Sequence, residues 1–176
     1  MKKKYELIPT DTKIVDGKTL YRIKSLIDFT LSDDTEIHAG DLGGYIENEN
    51  NLSQTGKSWV SGDARVCGDA RVCGDAQVYG NAQVCGDTRI YGDAWVCGNA
   101  DILTISNVGS RGGTTTFFRT TGDDIGVKCG CFSGTIDEFT AAVENTHGDN
   151  KYGQEYRIAI QLAKLHIGVN NDEQNS

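Results

Sequence analysis

Proline occurs once in 176 residues, methionine once and histidine three times. So little proline beside 22 glycines excludes a collagen-like chain and argues against a disordered Pro/Gly-rich one. No apolar run approaches the ~18 residues of a membrane span. The basic start Met1-Lys2-Lys3-Lys4 leads into Tyr5-Glu6 without an apolar core, so no secretory leader is expected. Basic residues are outnumbered, Lys+Arg 17 against Asp+Glu 25, for a net charge of −8. That balance disfavours direct binding to nucleic acid or anionic lipid. The expectation is a soluble, acidic, cytoplasmic protein with 38% hydrophobic residues, enough for a core.

The dominant feature is a repeat. From Val60 the chain reads VSGDAR VCGDAR VCGDAQ VYGNAQ VCGDTR IYGDAW VCGNAD. Glycines at 62, 68, 74, 80, 86, 92 and 98 fall six residues apart, as do the aliphatics from Val60 to Val96. A helix needs a period near 3.6 and a flat strand a period of 2, so six points to a short strand plus a turn, repeated. Asp or Asn after Gly suits the turn, and the small residue two before each aliphatic points inward with it.

This pattern resembles the hexapeptide-repeat left-handed β-helices, whose coils hold three repeats, or eighteen residues. The resemblance implies three faces: Val60, Val78 and Val96 on one, Val66, Val84 and Ile102 on the second, Val72, Ile90 and Val108 on the third. The predicted fold is mainly β, a short left-handed parallel β-helix of about three regular coils with a cap at each end. Residues 1–59 read as a β-rich N-terminal cap, with strands at Tyr5–Ile8 and Thr19–Ile23 around Asp16-Gly17. Ile46 and Leu52 already keep the six-residue step, and two extra residues before Val60 predict a bulge or loop. Residues 60–101 form the β-helix, 102–168 an α+β module, and 169–176 a polar, flexible tail. In the module, strands are expected at 102–106, at 114–120 and through Val127, Cys129 and Cys131. Thr135 with Glu138 forms a capping box for a helix ending near Gly148. A second helix, about 150–166, carries a stripe of Tyr152, Tyr156, Ala159, Ile160, Ala163 and Ile167.

Over its whole length the chain is similar to a family of phage- and prophage-encoded hexapeptide-repeat proteins. The residues that carry the likeness are Leu20-Tyr21-Arg22-Ile23, Asp28-Phe29, the stretch from Ala39 to Glu47, Asn51-Leu52-Ser53, the GDA/GNA repeats, the stretch from Cys129 to Thr135, and Thr146-His147-Gly148-Asp149. The resemblance implies fold and mobile-element origin, and brings no catalytic residue.

Acyltransferases with this helix resemble one another in an inserted loop and a catalytic histidine. Residues 60–101 hold neither, since His38, His147 and His166 all lie outside. No cofactor is expected. Cys67, Cys73, Cys85 and Cys97 point outward, and in a reducing compartment they are expected as free thiols, Cys67 above Cys85. Cys129 and Cys131, sharing one side of a strand, could begin a zinc site with His147, although buried strand thiols are the simpler account.

The candidate binding surface is the outer face of the helix. Trp59, Gln77 and Trp95 form one column, beside Ser61, Tyr79 and Cys97; Arg71 and Arg89 stack on another face beside Cys73 and Tyr91. An apolar column of this kind is expected either under the caps or in an interface. The expected function is therefore a non-catalytic interaction protein. The β-helix is its scaffold and the α+β module its recognition element, binding and blocking a host protein of antiviral defence, with a nucleotide as the other ligand option. Self-association through Trp59 and Trp95, as a dimer or trimer, is expected. The alternatives are a polymer-forming structural protein, an acidic DNA mimic built on Asp63, Asp69, Asp75, Asp87 and Asp93, and an acyltransferase-like enzyme.

Overall fold

A computed structural model describes residues 2–168 and divides into two compact units at Asn99/Ala100. The tail expected from residue 169 lies outside the described residues.

The first unit opens with a hairpin, β1 (Tyr5–Val15) and β2 (Lys18–Ser25). Asp16 and Gly17 both take positive φ, 48° and 77°, as a two-residue hairpin turn requires. β1 runs well past the expected Ile8. The one proline, Pro9, falls where the register shifts between Ile8 and Thr12, a place that needs no ladder N–H. A small hairpin follows, β3 (Phe29–Thr30) and β4 (Glu36–Ile37). Next, β5 (Leu42–Ile46) pairs antiparallel with β2 on one side and parallel with β7 (Arg65–Val66) on the other, so the parallel stack begins ahead of Val60.

The repeat forms two-residue strands six positions apart: β6 (Trp59–Val60), then β7, β8 (Arg71–Val72), β9 (Gln77–Val78), β10 (Gln83–Val84), β11 (Arg89–Ile90) and β12 (Trp95–Val96). Parallel pairing joins residues eighteen apart: Val60 to Val78 to Val96, Val66 to Val84, Val72 to Ile90. Before β6 the step is longer, since Ile46 pairs with Val66 and Leu52 with Val72; the two extra residues lie between Leu52 and Val60. The aliphatics and the small residues Ala64, Ala70, Ala76, Ala82 and Ala94 are fully buried together. Thr88 fills the same place by turning its hydroxyl onto the Cys85 carbonyl at 2.7 Å.

Each strand donates its N–H groups onward to the following coil, as in Arg65 to Ala82, Gln77 to Ala94 and Tyr79 to Val96. The first coil is therefore left with carbonyls that no earlier coil meets, and side-chain donors take them. Lys4 Nζ donates to the carbonyls of Ser58 (2.7 Å) and Gly56 (3.3 Å), Tyr5 Oη to that of Leu52 (2.7 Å), and an Arg22 guanidinium nitrogen to that of Gly43 (2.9 Å). Near the other end, the Asn99 side-chain oxygen accepts from Gln83 N–H at 2.9 Å. Gly98, unlike the six repeat glycines before it, leaves positive φ, and a 3-10 turn at Asn99–Asp101 ends the repeat.

Ile102 and Val108 do not continue the stack. They belong to the second unit, a four-stranded antiparallel meander of β13 (Ile102–Val108), β14 (Gly113–Arg119), β15 (Ile125–Cys129) and β16 (Phe132–Thr135). The third strand stops at Cys129. Gly130, with φ 55°, and Cys131 turn the chain into β16, a strand the sequence reading lacked. Two helices follow, α1 (Ile136–His147) and α2 (Lys151–Ile167). The capping box forms as expected: Glu138 N–H donates to Thr135 Oγ1 (3.2 Å), and Thr135 N–H donates to the Glu138 carboxylate (2.9 Å). Phe117, Ile125 and Val127 of the sheet pack against Ile136, Phe139 and Val143 of α1 and Tyr156, Ala159, Ile160, Ala163 and Ile167 of α2. Tyr152 departs from the predicted stripe and stays 37% exposed. Arg157 ties the helix pair together, holding Glu144 at 2.7 Å and Asp149 at 3.1 Å.

Candidate functional site

The column of Trp59, Gln77 and Trp95 forms in register, since β6, β9 and β12 pair Trp59 with Gln77 and Gln77 with Trp95. Its members meet different environments. Trp59 is only 2% exposed, edge-on to Tyr5 (6.5 Å between ring centroids) and Phe29 (5.5 Å). Gln77 is buried as well. The expected surface carrying two tryptophans therefore does not exist, because the N-terminal segment covers its first two rungs. What stays open is Trp95, 37% exposed, with its ring centroid 5.8 Å from that of Tyr79. Cys97, two residues on, is exposed, and Tyr79 is half-buried. On the neighbouring face Arg71 and Arg89 are paired at Cα and both exposed, with Tyr91 half-buried beside them. The aromatic pair and the two arginines thus occupy different faces of the solenoid.

A shallow, open groove of about 650 Å³ runs along one corner, lined by Arg22, Gly62, Asp63, Gly80, Asn81 and Cys97. Its charges are already answered. Arg22 Nε lies 2.7 Å from Asp11, and its guanidinium covers the Tyr45 ring at 4.4 Å. Asp63 accepts from Lys13 Nζ at 2.6 Å, and that contact holds its carboxyl below the usual range.

The cysteines differ from expectation. Cys67 and Cys85, expected as free thiols, form a disulfide with Cα atoms 4.7 Å apart. Cys67 is buried with Leu20 and Tyr45, and Val15 packs against them. The same eighteen-residue step that stacks the valines brings these two sulfurs together. Cys129 and Cys131 remain thiols in separate places. Cys129 accepts from Thr115 Oγ1 at 3.2 Å and lies 3.6 Å from the Tyr156 hydroxyl, while Cys131 sits exposed in the β15–β16 turn. Burial, with the Cys129 contact second, pushes the Tyr156 phenol up to about 12.

The His147 ring lies 5.7 Å from that of Tyr156 and 6.0 Å from that of Tyr152. Among the described residues no three His, Cys, Asp or Glu side chains gather as a metal site, so Cys129, Cys131 and His147 are not brought into one. His38 stands between Asp28 (4.0 Å) and Glu36 (3.8 Å) on an exposed loop, and His166 reaches the Ile102 carbonyl at 3.1 Å.

Two features lay outside the sequence reading. Lys4 is 2% exposed without a carboxylate partner in contact, its ammonium satisfied by carbonyls, and burial lowers its pKa to about 8. On α2, Ile158 (65% exposed), Leu162 (46%) and Leu165 (81%) form an outward apolar stripe. Their i, i+4, i+7 spacing was visible in the sequence, but lay beside the stronger buried stripe.

The family model described as YdcK beta solenoid repeat matches residues 64–80 and 82–98, the part of the chain in which the eighteen-residue pairing is regular. No curated protein matches the chain. Among the described residues no helix is long and apolar enough to cross a membrane.

Proposed function

We propose that this chain is a non-catalytic interaction protein of phage or prophage origin. Its solenoid is a left-handed hexapeptide β-helix of about three regular coils and serves as a rigid scaffold. The partner is a host protein in the host cytoplasm, and binding blocks that protein's role in antiviral defence. The matched solenoid repeat and the eighteen-residue pairing support the scaffold. Origin and target class rest on the sequence resemblance alone.

The observation that carries the binding role is the Tyr79–Trp95 contact, with Trp95 exposed on one outer face and Arg71 and Arg89 exposed on another. Aromatic and arginine side chains supply most hot spots of protein interfaces. Among the described residues His38 stands beside Asp28, His166 on the Ile102 carbonyl and Cys129 on the Thr115 hydroxyl. In this reading the β-helix is the scaffold and the α+β module the recognition element. The sealing of first-coil carbonyls by Lys4 and Tyr5 weighs against a coil-on-coil polymer.

The test is a tagged pull-down from host lysate read by native mass spectrometry. A stoichiometric host protein is expected, retained by Trp95→Phe and lost by Trp95→Asp. A partner held equally by Trp95→Asp, or recovery of the chain without a host protein, would sink the reading.

A further inference from the structure

Trp95 stands in an acidic setting of a kind that already holds cations elsewhere in the same solenoid. On the face carrying Tyr45, the corner residue Asp63 lies two positions before Arg65, the rung paired with Tyr45. There Lys13 Nζ reaches Asp63 at 2.6 Å and covers the Tyr45 ring at 4.3 Å. Arg22 lies over the same ring at 4.4 Å and meets Asp11 at 2.7 Å. Both cations come from the β1–β2 hairpin.

The Trp95 face repeats the aromatic and the corner carboxylates. Asp75 lies two positions before Gln77, the rung paired with Trp95, and Asp93 two positions before Trp95 itself. The two carboxylates share one corner, where Asp75 N–H donates to the Gly92 carbonyl at 3.0 Å, and both are exposed. The β3–β4 hairpin adds Asp33 beside Gln77. Burial works against its charge, but the Thr35 N–H at 3.2 Å and the Gln77 side chain hold the carboxyl below the usual range. Among the described residues no lysine or arginine pairs with Asp33, Asp75 or Asp93, and residues 75–79 and 93–97 include neither type.

We infer that Trp95, with Asp75 and Asp93, seats an arginine side chain presented by a partner protein. This rests on the reading of Trp95 as part of a protein-binding surface and names what the partner offers there. A guanidinium meets both demands, because it stacks on an aromatic face and its fork of N–H groups fits carboxylates. The net charge of −8 favours the approach of a cationic segment.

The test needs no host protein. Trp59 and Trp95 are the two tryptophans, one buried and one exposed, so their indole N–H signals in a proton–nitrogen correlation spectrum report separately. N-acetyl-arginine amide, added to the full chain up to about 50 mM, should shift the Trp95 signal saturably and leave that of Trp59 in place. The neutral analogue N-acetyl-citrulline amide, at matched ionic strength, should not. Asp75→Asn combined with Asp93→Asn should weaken the arginine response several-fold. The fold is kept, since Asn already serves this turn position at Asn81. No saturable shift, an equal shift with citrulline, or an undiminished response in the double variant would overturn the inference. So would a host protein captured equally by the double variant, which would leave the binding role intact. An empty pull-down beside a saturable arginine response would sink the host target and leave the arginine seat standing.

Discussion

Cys67 and Cys85 stand on adjacent coils, eighteen residues and 4.7 Å apart at Cα, joined by a disulfide under the β1–β2 hairpin. The bond closes a short loop and sits where the parallel stack already holds its two ends together. Closing a loop of that size removes about 3 kcal/mol of unfolded-state entropy. Reduction by dithiothreitol, or Cys85→Ala, should lower the unfolding free energy measured in urea by about that much while the native fold persists. Equal stability with and without reductant would mean that the two thiols are not linked in solution.

Lys4 predicts an unusual pH dependence. Its folded pKa is lowered to about 8 against an ordinary 10.5, so between those values the unfolded chain binds more protons and stability rises with pH. Over that interval the gain approaches about 3 kcal/mol. Tyr5 works in the opposite sense from about pH 10 upward, because burial, then Glu49, raises its phenol above the unfolded value. A maximum near pH 10 is therefore expected in urea unfolding, and Lys4→Met should abolish the rise above pH 8.

Asn51 is fully buried, and its amide donates to the carbonyls of Gly68 (3.0 Å) and Ala70 (2.9 Å) while its oxygen accepts from Asn48 N–H. Asn51→Ala should cost about 2–4 kcal/mol through the unmet groups. Asn51→Asp should cost more, because a carboxylate would face two carbonyl oxygens. Chemical denaturation at neutral pH ranks the two variants.

Two glycines of the same repeat position should respond differently to alanine. Gly80 and Gly86 both hold positive φ, 65° and 70°, which costs a non-glycine residue about 1–2 kcal/mol. At Gly80 a Cβ would also lie 2.4 Å from the Cys97 carbonyl oxygen; at Gly86 it would meet nothing within 4 Å. Gly80→Ala should therefore lower the melting temperature well beyond Gly86→Ala, and equal shifts would refute the close stacking of that corner.

The solenoid could be read from the sequence because its contacts repeat at a fixed interval, so Val60, Val78 and Val96 announce one another. The start of α1 was equally legible, since Thr135 and Glu138 cap it within four residues. What escaped depends on residues distant in sequence. Trp59 is covered by Tyr5 and Phe29, which nothing near position 59 reveals. Lys4 stands in a lysine run that reads as solvated, and only the first coil's carbonyls make its burial tolerable. The Cys67–Cys85 pair was placed correctly in space but assigned the wrong chemistry, because an assumed compartment outweighed geometry. Beyond residue 101 no repeat guides the eye, and the Cys129-Gly130-Cys131 segment, which alternates like a strand, is a hairpin turn.

The constant pairing step also decides which insertions and deletions the gene can tolerate. Gain of eighteen residues after Cys85 would leave each original side chain on its own face and the Cys67–Cys85 link untouched. A six-residue change would keep the inside-outside alternation yet shift every later strand to the next face, separating Tyr79 from Trp95. A length that is not a multiple of six would turn valines outward unless a loop absorbed it, as happens between Leu52 and Val60. Variation in this chain is thereby quantised: whole added coils are nearly silent, single repeats rewrite the surface, and unabsorbed single residues are destructive.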